Sequence, residues 1–407
     1  MKIAFVTPQM IVGGAETYII RKSQWLIKHG YDVIVISSGG CFTNGLPQGA
    51  LHYEIKDLFY APFSIPFSRL RNVLKKLSNI IVKENVDVIE AHNAFPILYV
   101  AMSYTSHKCS FFLNVLLESS YDENYQLSFL TRMLSRRGKY FTLTEDMNSY
   151  IECKCKTKLN VNVIPIPING CENIDTTIEG RYFLSVGRMG ADKMYVKHLI
   201  IDFGKLKKKR LIDDDIKLVI VGDGDLYNEV LELAVRINKD LPNESIVLKG
   251  TVIGVDLDNL YRSCMGYIGI GTTILIAASF AKPVILASGY KKFQSFAFGY
   301  WGTHDDLDQF SIGGGDKYIK YKISFEEALF QVARSKDFRK ELAAKSYSLF
   351  KQVYDMDIIM KQWELFLRKE ADKLYDENLS FWGMFICLMN IILHPIYKLY
   401  KFLNKIV

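Results

Sequence analysis

The chain has 407 residues, 49% of them hydrophobic and 23% charged, which excludes global disorder and leaves room for two domains. Lys plus Arg exceeds Asp plus Glu by 51 − 44 = 7, a mild excess without the dense basic stripe of a nucleic-acid binder; it suits an anionic small substrate or an anionic membrane surface. Seven scattered cysteines exclude a disulfide scaffold, and Cys153 and Cys155 have no second pair at zinc-site spacing.

Met1 to Pro8 contains an apolar run of only four residues and no small-residue cleavage site. No signal peptide is expected, and the chemistry is placed in the cytoplasm. Short apolar runs then alternate with helical patterns, the signature of parallel βαβ units. Strands are expected at Ile3–Thr7, Asp32–Ser37, Val86–Ala91, Ser110–Leu117, Tyr140–Thr144 and Val161–Pro165. A helix over Ala15–His29 follows the first strand, and Gly30 ends it. Their β-branched and aromatic runs fit a sheet covered on both faces.

Pro165-Ile166-Pro167-Ile168-Asn169-Gly170 breaks the pattern and reads as an interdomain linker. The alternation restarts with strands at Tyr182–Val186, Lys217–Val221, Ser245–Lys249, Met265–Ile270 and Val284–Ser288. Helices are expected at Leu226–Asn238 and Ile274–Ala281. The aromatic stretch 289–322 reads as a long irregular loop, a lid or a satellite cluster. Residues 323–370 read as helical, with Ser324 as N-cap. In the tail, 379–407, an apolar run is interrupted at His394-Pro395 and followed by Lys398, Lys401 and Lys405. That run is short for a membrane span of about 20 residues, so an in-plane amphipathic anchor is expected, with a packing helix as the alternative.

Four places offer chemistry. Gly13-Gly14 stands just before a helix, where freed N–H groups and the helix dipole favour an anion; it also serves as ordinary turn chemistry. Arg188, at a strand end, and Lys193 can clamp a diphosphate, or simply occupy a solvated loop. Val221-Gly222-Asp223-Gly224 lacks the third glycine and the acidic partner of a dinucleotide fingerprint, which speaks against a nicotinamide enzyme. Gly271-Thr272-Thr273 forms a second anion site or a glycine turn with a Thr cap.

The order and spacing of these segments resemble the family-4-like glycosyltransferases (glycosyltransferase group 1) of the GT-B fold, over residues 1–370. The matching text is Gly13-Gly14-Ala15-Glu16, Val163-Ile164-Pro165, Val186-Gly187-Arg188 with Lys193, Lys217 to Gly224, Leu248-Lys249-Gly250, Asp258-Asn259-Leu260-Tyr261 and Ala277 to Ile285. The resemblance implies an α/β fold of two Rossmann-like domains with an interdomain cleft and C-terminal helices. Residues 1–168 would form the acceptor-side domain and 175–355 the nucleotide-sugar domain. A closing helix at 356–373 would return to the first domain, and 379–407 would remain as a possible membrane anchor.

The resemblance further implies a retaining transferase that moves a sugar from a UDP or GDP donor, without a metal or other cofactor. Its acceptor would be a saccharide, lipid-linked, in cell-surface polysaccharide synthesis at the inner face of the membrane. Arg188 and Lys193 would be catalytic, stabilising the leaving diphosphate. Gly13, Gly14, Gly250, Gly271, Thr272 and Thr273 would bind the donor. His92, Asn114 and Glu118 would lie on the acceptor side. The sequence departs from the family at two glutamates, whose positions hold Ile268 and Ile276. The alternative is therefore a non-catalytic GT-B-like subunit or regulatory protein.

Overall fold

The computed structural model describes residues 1–103, 109–114, 116, 118–122, 124–171, 174, 180–241, 243–289, 295–304, 316–371 and 377–403. The chain divides into two compact units, one of Met1–Pro167 with Ile359–Val407 and one of Ile168–Ile358.

The first unit opens with β1 (Lys2–Val6), α1 (Gly14–Lys28), β2 (Asp32–Ser37), β3 (Leu51–Glu54) and α2 (Phe67–Lys83). It continues with β4 (Val88–His92), α3 (Ala94–Ser103), β5 (Ser110–Asn114), α4 (Tyr125–Arg136), β6 (Tyr140–Thr142), α5 (Glu145–Cys155) and β7 (Asn162–Val163). Seven parallel strands form one sheet in the order β3-β2-β1-β4-β5-β6-β7. The order reverses between β1 and β4, so the loops after these two strands diverge to opposite sides and leave a crevice at their carboxyl ends.

The second unit contains β8 (Tyr182–Val186), α6 (Tyr195–Lys208), β9 (Lys217–Val221), α7 (Tyr227–Asn238), β10 (Ile246–Leu248) and α8 (Gly254–Ser263). Then come β11 (Gly266–Gly269), α9 (Thr272–Ser279), β12 (Val284–Ala287), β13 (Ala297–Tyr300), α10 (Phe325–Arg334) and α11 (Lys336–Val353). Its sheet runs β10-β9-β8-β11-β12-β13, parallel except for the last pair, and reverses between β8 and β11. The core between this sheet and its helices holds Phe183, Leu199, Phe203, Ile220, Ile268 and Phe325, all essentially solvent-free.

Two strands escaped the sequence reading. β3 is a half-exposed edge strand, Leu-His-Tyr-Glu, without an apolar run. β13 lies inside the stretch taken as irregular; it pairs antiparallel with β12, and Phe298 and Trp301 are fully buried there. That part of 289–322 is core, while 290–294 and 305–315 lie outside the described residues.

Helix α12 (Met356–Ala371) begins in the second unit and ends in the first. Helix α13 (Glu377–Leu403) is continuous through Pro395, the point at which the apolar run ends. Packing on the first unit up to His394 offsets part of the roughly 3 kcal/mol that an interior proline costs. Gly383 lies so close to the Ala101 carbonyl that a Cβ would collide with it. Ile386 and Asn390 are buried, and Asn390 Nδ2 donates to Gln126 Oε1 (3.2 Å) and to the Ile386 carbonyl (2.8 Å). His394 Nδ1 stands 2.8 Å from the Phe63 carbonyl oxygen. The tail is thus a helix packed on the first unit along one face. Among the described residues, no helix is long and apolar enough to cross a membrane.

Candidate active site

In the second unit the candidate residues gather at the carboxyl ends of β8, β9, β10 and β11. Gly222, at φ 135°, lies so close to the Gly187 carbonyl oxygen that any Cβ would overlap it. Gly222 N donates to Gly250 O at 2.7 Å. Gly224, at φ 143°, crosses Met189 in the same way, and Met189 N donates to Asp223 O at 2.8 Å. Glycine is required where backbone meets backbone at positive φ. A Gly222→Ala variant is expected to lose about 1–3 kcal/mol of stability, read as a lower denaturation midpoint in urea.

This glycine stack fixes the loop carrying Arg188 and Lys193. The Lys193 ammonium lies beside Gly187, 3.3 Å from where a Cβ would stand, and Arg188 is exposed. Both cations therefore belong to one short loop at the end of β8. Gly250 (φ 60°) and Gly271 (φ 73°) are open among the described residues: a Cβ on either would meet none of them within 4 Å. Gly271 is the N-cap of α9, with no side chain capping its first turn, and Thr272 and Thr273 begin the helix. That end is polarised toward an anion.

Tyr267 joins the two sides of the β8/β11 reversal. Its hydroxyl reaches the Val186 carbonyl oxygen at 3.1 Å and Thr273 Oγ1 at 2.5 Å. Burial pushes this phenol well above its ordinary range, so it stays protonated at neutral pH. Gly269 leaves room for the ring, since a Cβ there would strike the Tyr267 hydroxyl. The signal was present in the sequence: Tyr and Gly two apart on one strand share a face. Tyr267→Phe is expected to keep the fold and to weaken donor binding about threefold to tenfold in a titration, through loss of one hydrogen bond that holds Thr273.

The position aligned with the first family glutamate, Ile268, is solvent-free within the hydrophobic core, and Ile276 lies half-buried in α9. An unpaired carboxylate at 268 would be costly in those surroundings.

In the first unit, Gly13 is the N-cap of α1, Gly14 its first residue, and the Glu16 carboxylate lies directly over Gly13. Partial burial raises the Glu16 carboxyl, against the hydrogen bond it receives from its own backbone. A carboxylate thus already occupies the anion position at this helix end. His92 and Asn114 end β4 and β5 in register and are wholly buried. His92 Nε2 stands 2.8 Å from Glu90 Oε1, and Asn114 Nδ2 donates to Glu90 Oε1 (3.2 Å) and the Tyr18 hydroxyl (3.1 Å). His92 Nδ1, Asn114 Oδ1 and Thr7 Oγ1, on three adjacent strand ends, are buried without a hydrogen-bond partner among the described residues. Glu118 opens a 3₁₀ turn, Glu118–Tyr121, and its side chain lies outside the described residues.

Beneath these strand ends lies a charged cluster. Lys22 Nζ donates to Glu90 Oε2 (2.7 Å) and the Tyr18 hydroxyl (2.9 Å), and sits 3.9 Å from the Trp363 ring centroid. Trp363 Nε1 donates to Glu90 Oε2 (3.0 Å) and the Tyr18 hydroxyl to Glu90 Oε1 (3.0 Å). Burial pushes the Lys22 ammonium down to about 8 against the pull of Glu90, and burial also keeps His92 below its ordinary value. Among the described residues no group of three His, Cys, Asp or Glu side chains is placed to hold a metal ion.

Two parallel-dominated sheets, each with its order reversal and glycine-rich strand ends, define the GT-B fold of glycosyltransferases. Residues 12–169, nearly all of them in the first unit, match the family model of Glycosyltransferase Family 4. Among solved structures, a glycosyltransferase from Rickettsia africae ESF-5 is 16% identical, covering 90% of this chain and 98% of that one, with TM-score 0.66. Anabaena Alr3699/HepE, solved with UDP and glucose, is 14% identical over 91% of this chain and 100% of its own, with TM-score 0.64. The lipopolysaccharide outer core galactosyltransferase WaaB is 14% identical, with coverage of 91% and 100% and TM-score 0.59. No curated protein matches this chain by sequence.

Proposed function

We propose that this protein transfers a sugar, with retention, from a nucleoside-diphosphate donor to a lipid-linked saccharide at the cytoplasmic face of a membrane, in cell-surface polysaccharide synthesis. The observation that carries this reading is the loop of Arg188 and Lys193, pinned by the Gly187–Gly222–Gly250 stack beside the open N-terminus of α9. Two fixed cations and a helix dipole suit a leaving group that gains charge as the glycosidic bond breaks. In this reading Gly271, Thr272 and Thr273 take phosphate or sugar oxygens, and Gly250 leaves room for the base. Gly13 and Gly14 serve the donor phosphate once Glu16 moves aside. Acceptor contacts fall to Glu118 and to the strand ends that His92 and Asn114 support. The phosphates are matched by these cations and N–H groups without a metal. HepE, which shares this fold, binds UDP and UDP-glucose, which favours a uridine donor over a guanosine one.

One observation favours a second reading, a non-catalytic subunit: Ile268 is core and Ile276 is apolar, so neither supplies a carboxylate to the donor. Titration with UDP- and GDP-sugars separates the two. Donor consumption in the presence of a membrane fraction as acceptor source supports transfer; donor binding without turnover supports the subunit.

A further inference from the structure

We propose that the outward face of α13 and the adjoining turn before α2 form a fixed, in-plane membrane-docking surface of the first unit. Phe381, Met384, Phe385, Leu388, Ile392 and Ile396 are each between 44% and 59% exposed. Their spacing of three and four residues draws one apolar stripe along the helix, about 22 Å long at 1.5 Å per residue. The opposite face is the one seated on α3, through Gly383, Ile386 and Asn390. One side of the helix is therefore satisfied by the protein and the other is left to a second apolar phase.

The stripe continues onto the rest of the unit. His394 contacts Phe63, in the turn Pro62–Ser64, and exposed Phe59, Tyr60 and Phe67 flank that turn. Charge identifies the occupant. No Asp or Glu follows Glu377, whereas Lys398, Lys401 and Lys405 do, and α2 carries five basic residues and no acidic one. Arg69 pairs with Asp57 and Lys83 with Glu84, which leaves the sequence of α2 and of the tail with a clear basic excess. An apolar and aromatic face on segments of basic excess fits an anionic lipid surface, where Phe and Leu enter the acyl boundary. The surface deepens the proposed function, resting on it only for the membrane-borne acceptor; lipid contact itself stands on this geometry.

The structure also selects the experiment. Removing the tail would strip the cover from α3, whose residues are almost all apolar and buried, so truncation confuses docking with folding. Substitution on the outer stripe does not. Full-length protein is sedimented with vesicles of phosphatidylethanolamine and phosphatidylglycerol, and separately with phosphatidylcholine vesicles. Wild type should bind the anionic vesicles, and F385S/L388S should bind them about a hundredfold less, with unchanged circular dichroism. Phe385→Leu should restore most of the binding.

A second readout uses wild type alone. Trp382 packs 5.5 Å from Phe385 and is half-buried, while Trp25, Trp301 and Trp363 are buried. Brominated phosphatidylglycerol should quench wild-type emission, and Trp382→Phe should abolish that quenching. Wild type that stays in the supernatant, unquenched, would overturn the proposal. So would a wild-type dimer that F385S/L388S turns into a monomer, because the stripe would then belong to a second copy. Donor turnover is scored separately: vesicle binding without turnover defeats the transferase reading and leaves the surface standing, and turnover without vesicle binding does the reverse.

Discussion

Glu90→Ala is expected to destabilise the protein by about 3–5 kcal/mol, read as a fall in the urea midpoint, because it strands a buried ammonium. Glu90 receives Tyr18, His92 and Asn114 on one oxygen and Lys22 and Trp363 on the other, with no solvent to replace them. Removing both charges together, as in K22M/E90L, should recover much of the loss, since an apolar pair leaves no unsatisfied ion. Trp363 sits on α12, so the single variant should also loosen that helix from the first unit, seen as faster amide exchange there. The cluster adds an acid limit. Burial alone would raise the Glu90 carboxyl, but Lys22 and His92 outweigh it and hold the group well below the usual carboxylate range. The unfolded chain therefore takes up the proton first as pH falls. The stabilisation is complete above about pH 5 and is lost progressively below it. Wild type should lose stability more steeply than Glu90→Gln over that acid range.

Arg188→Ala and Lys193→Ala are each expected to lower kcat/KM for the nucleotide sugar about a hundredfold, with the double variant close to inactive. The loss should fall mainly on kcat, because charge on the diphosphate grows as the sugar leaves. Arg188→Lys should keep only part of the wild-type rate, since a point charge does not replace a bidentate fork. Arg188 is exposed on a loop, so its removal should shift the urea midpoint far less than it lowers kcat/KM, separating a chemical role from a structural one. Equal kcat/KM in wild type and both variants would remove the diphosphate assignment.

Much of the architecture was legible locally. The strands Asp32–Ser37, Tyr182–Val186 and Lys217–Val221 have the bounds that their β-branched and aromatic runs announce, because both faces of a parallel strand are covered and its interior positions are mostly apolar. β3 was not legible, since an edge strand carries no such run. The glycine-rich strand ends were visible as motifs. That Gly187, Gly222 and Gly250 touch one another was not, because contact between strand ends depends on strand order. Glu90 was a missed signal: a carboxylate inside an otherwise apolar strand needs a buried cation, and Lys22 on the apolar face of α1 was available.

By itself the sequence determined the two α/β units, the loops that carry the cations and the apolar character of the tail, since periodicity and composition are properties of neighbours along the chain. Only the tertiary structure decided which face of α13 is spent on α3 and which remains outward, that Tyr267 ties β8 to α9, and that Trp363 closes over Lys22 and Glu90. These are pairings across tens to hundreds of residues. They are fixed by which surfaces exclude water together, a choice that no local segment contains.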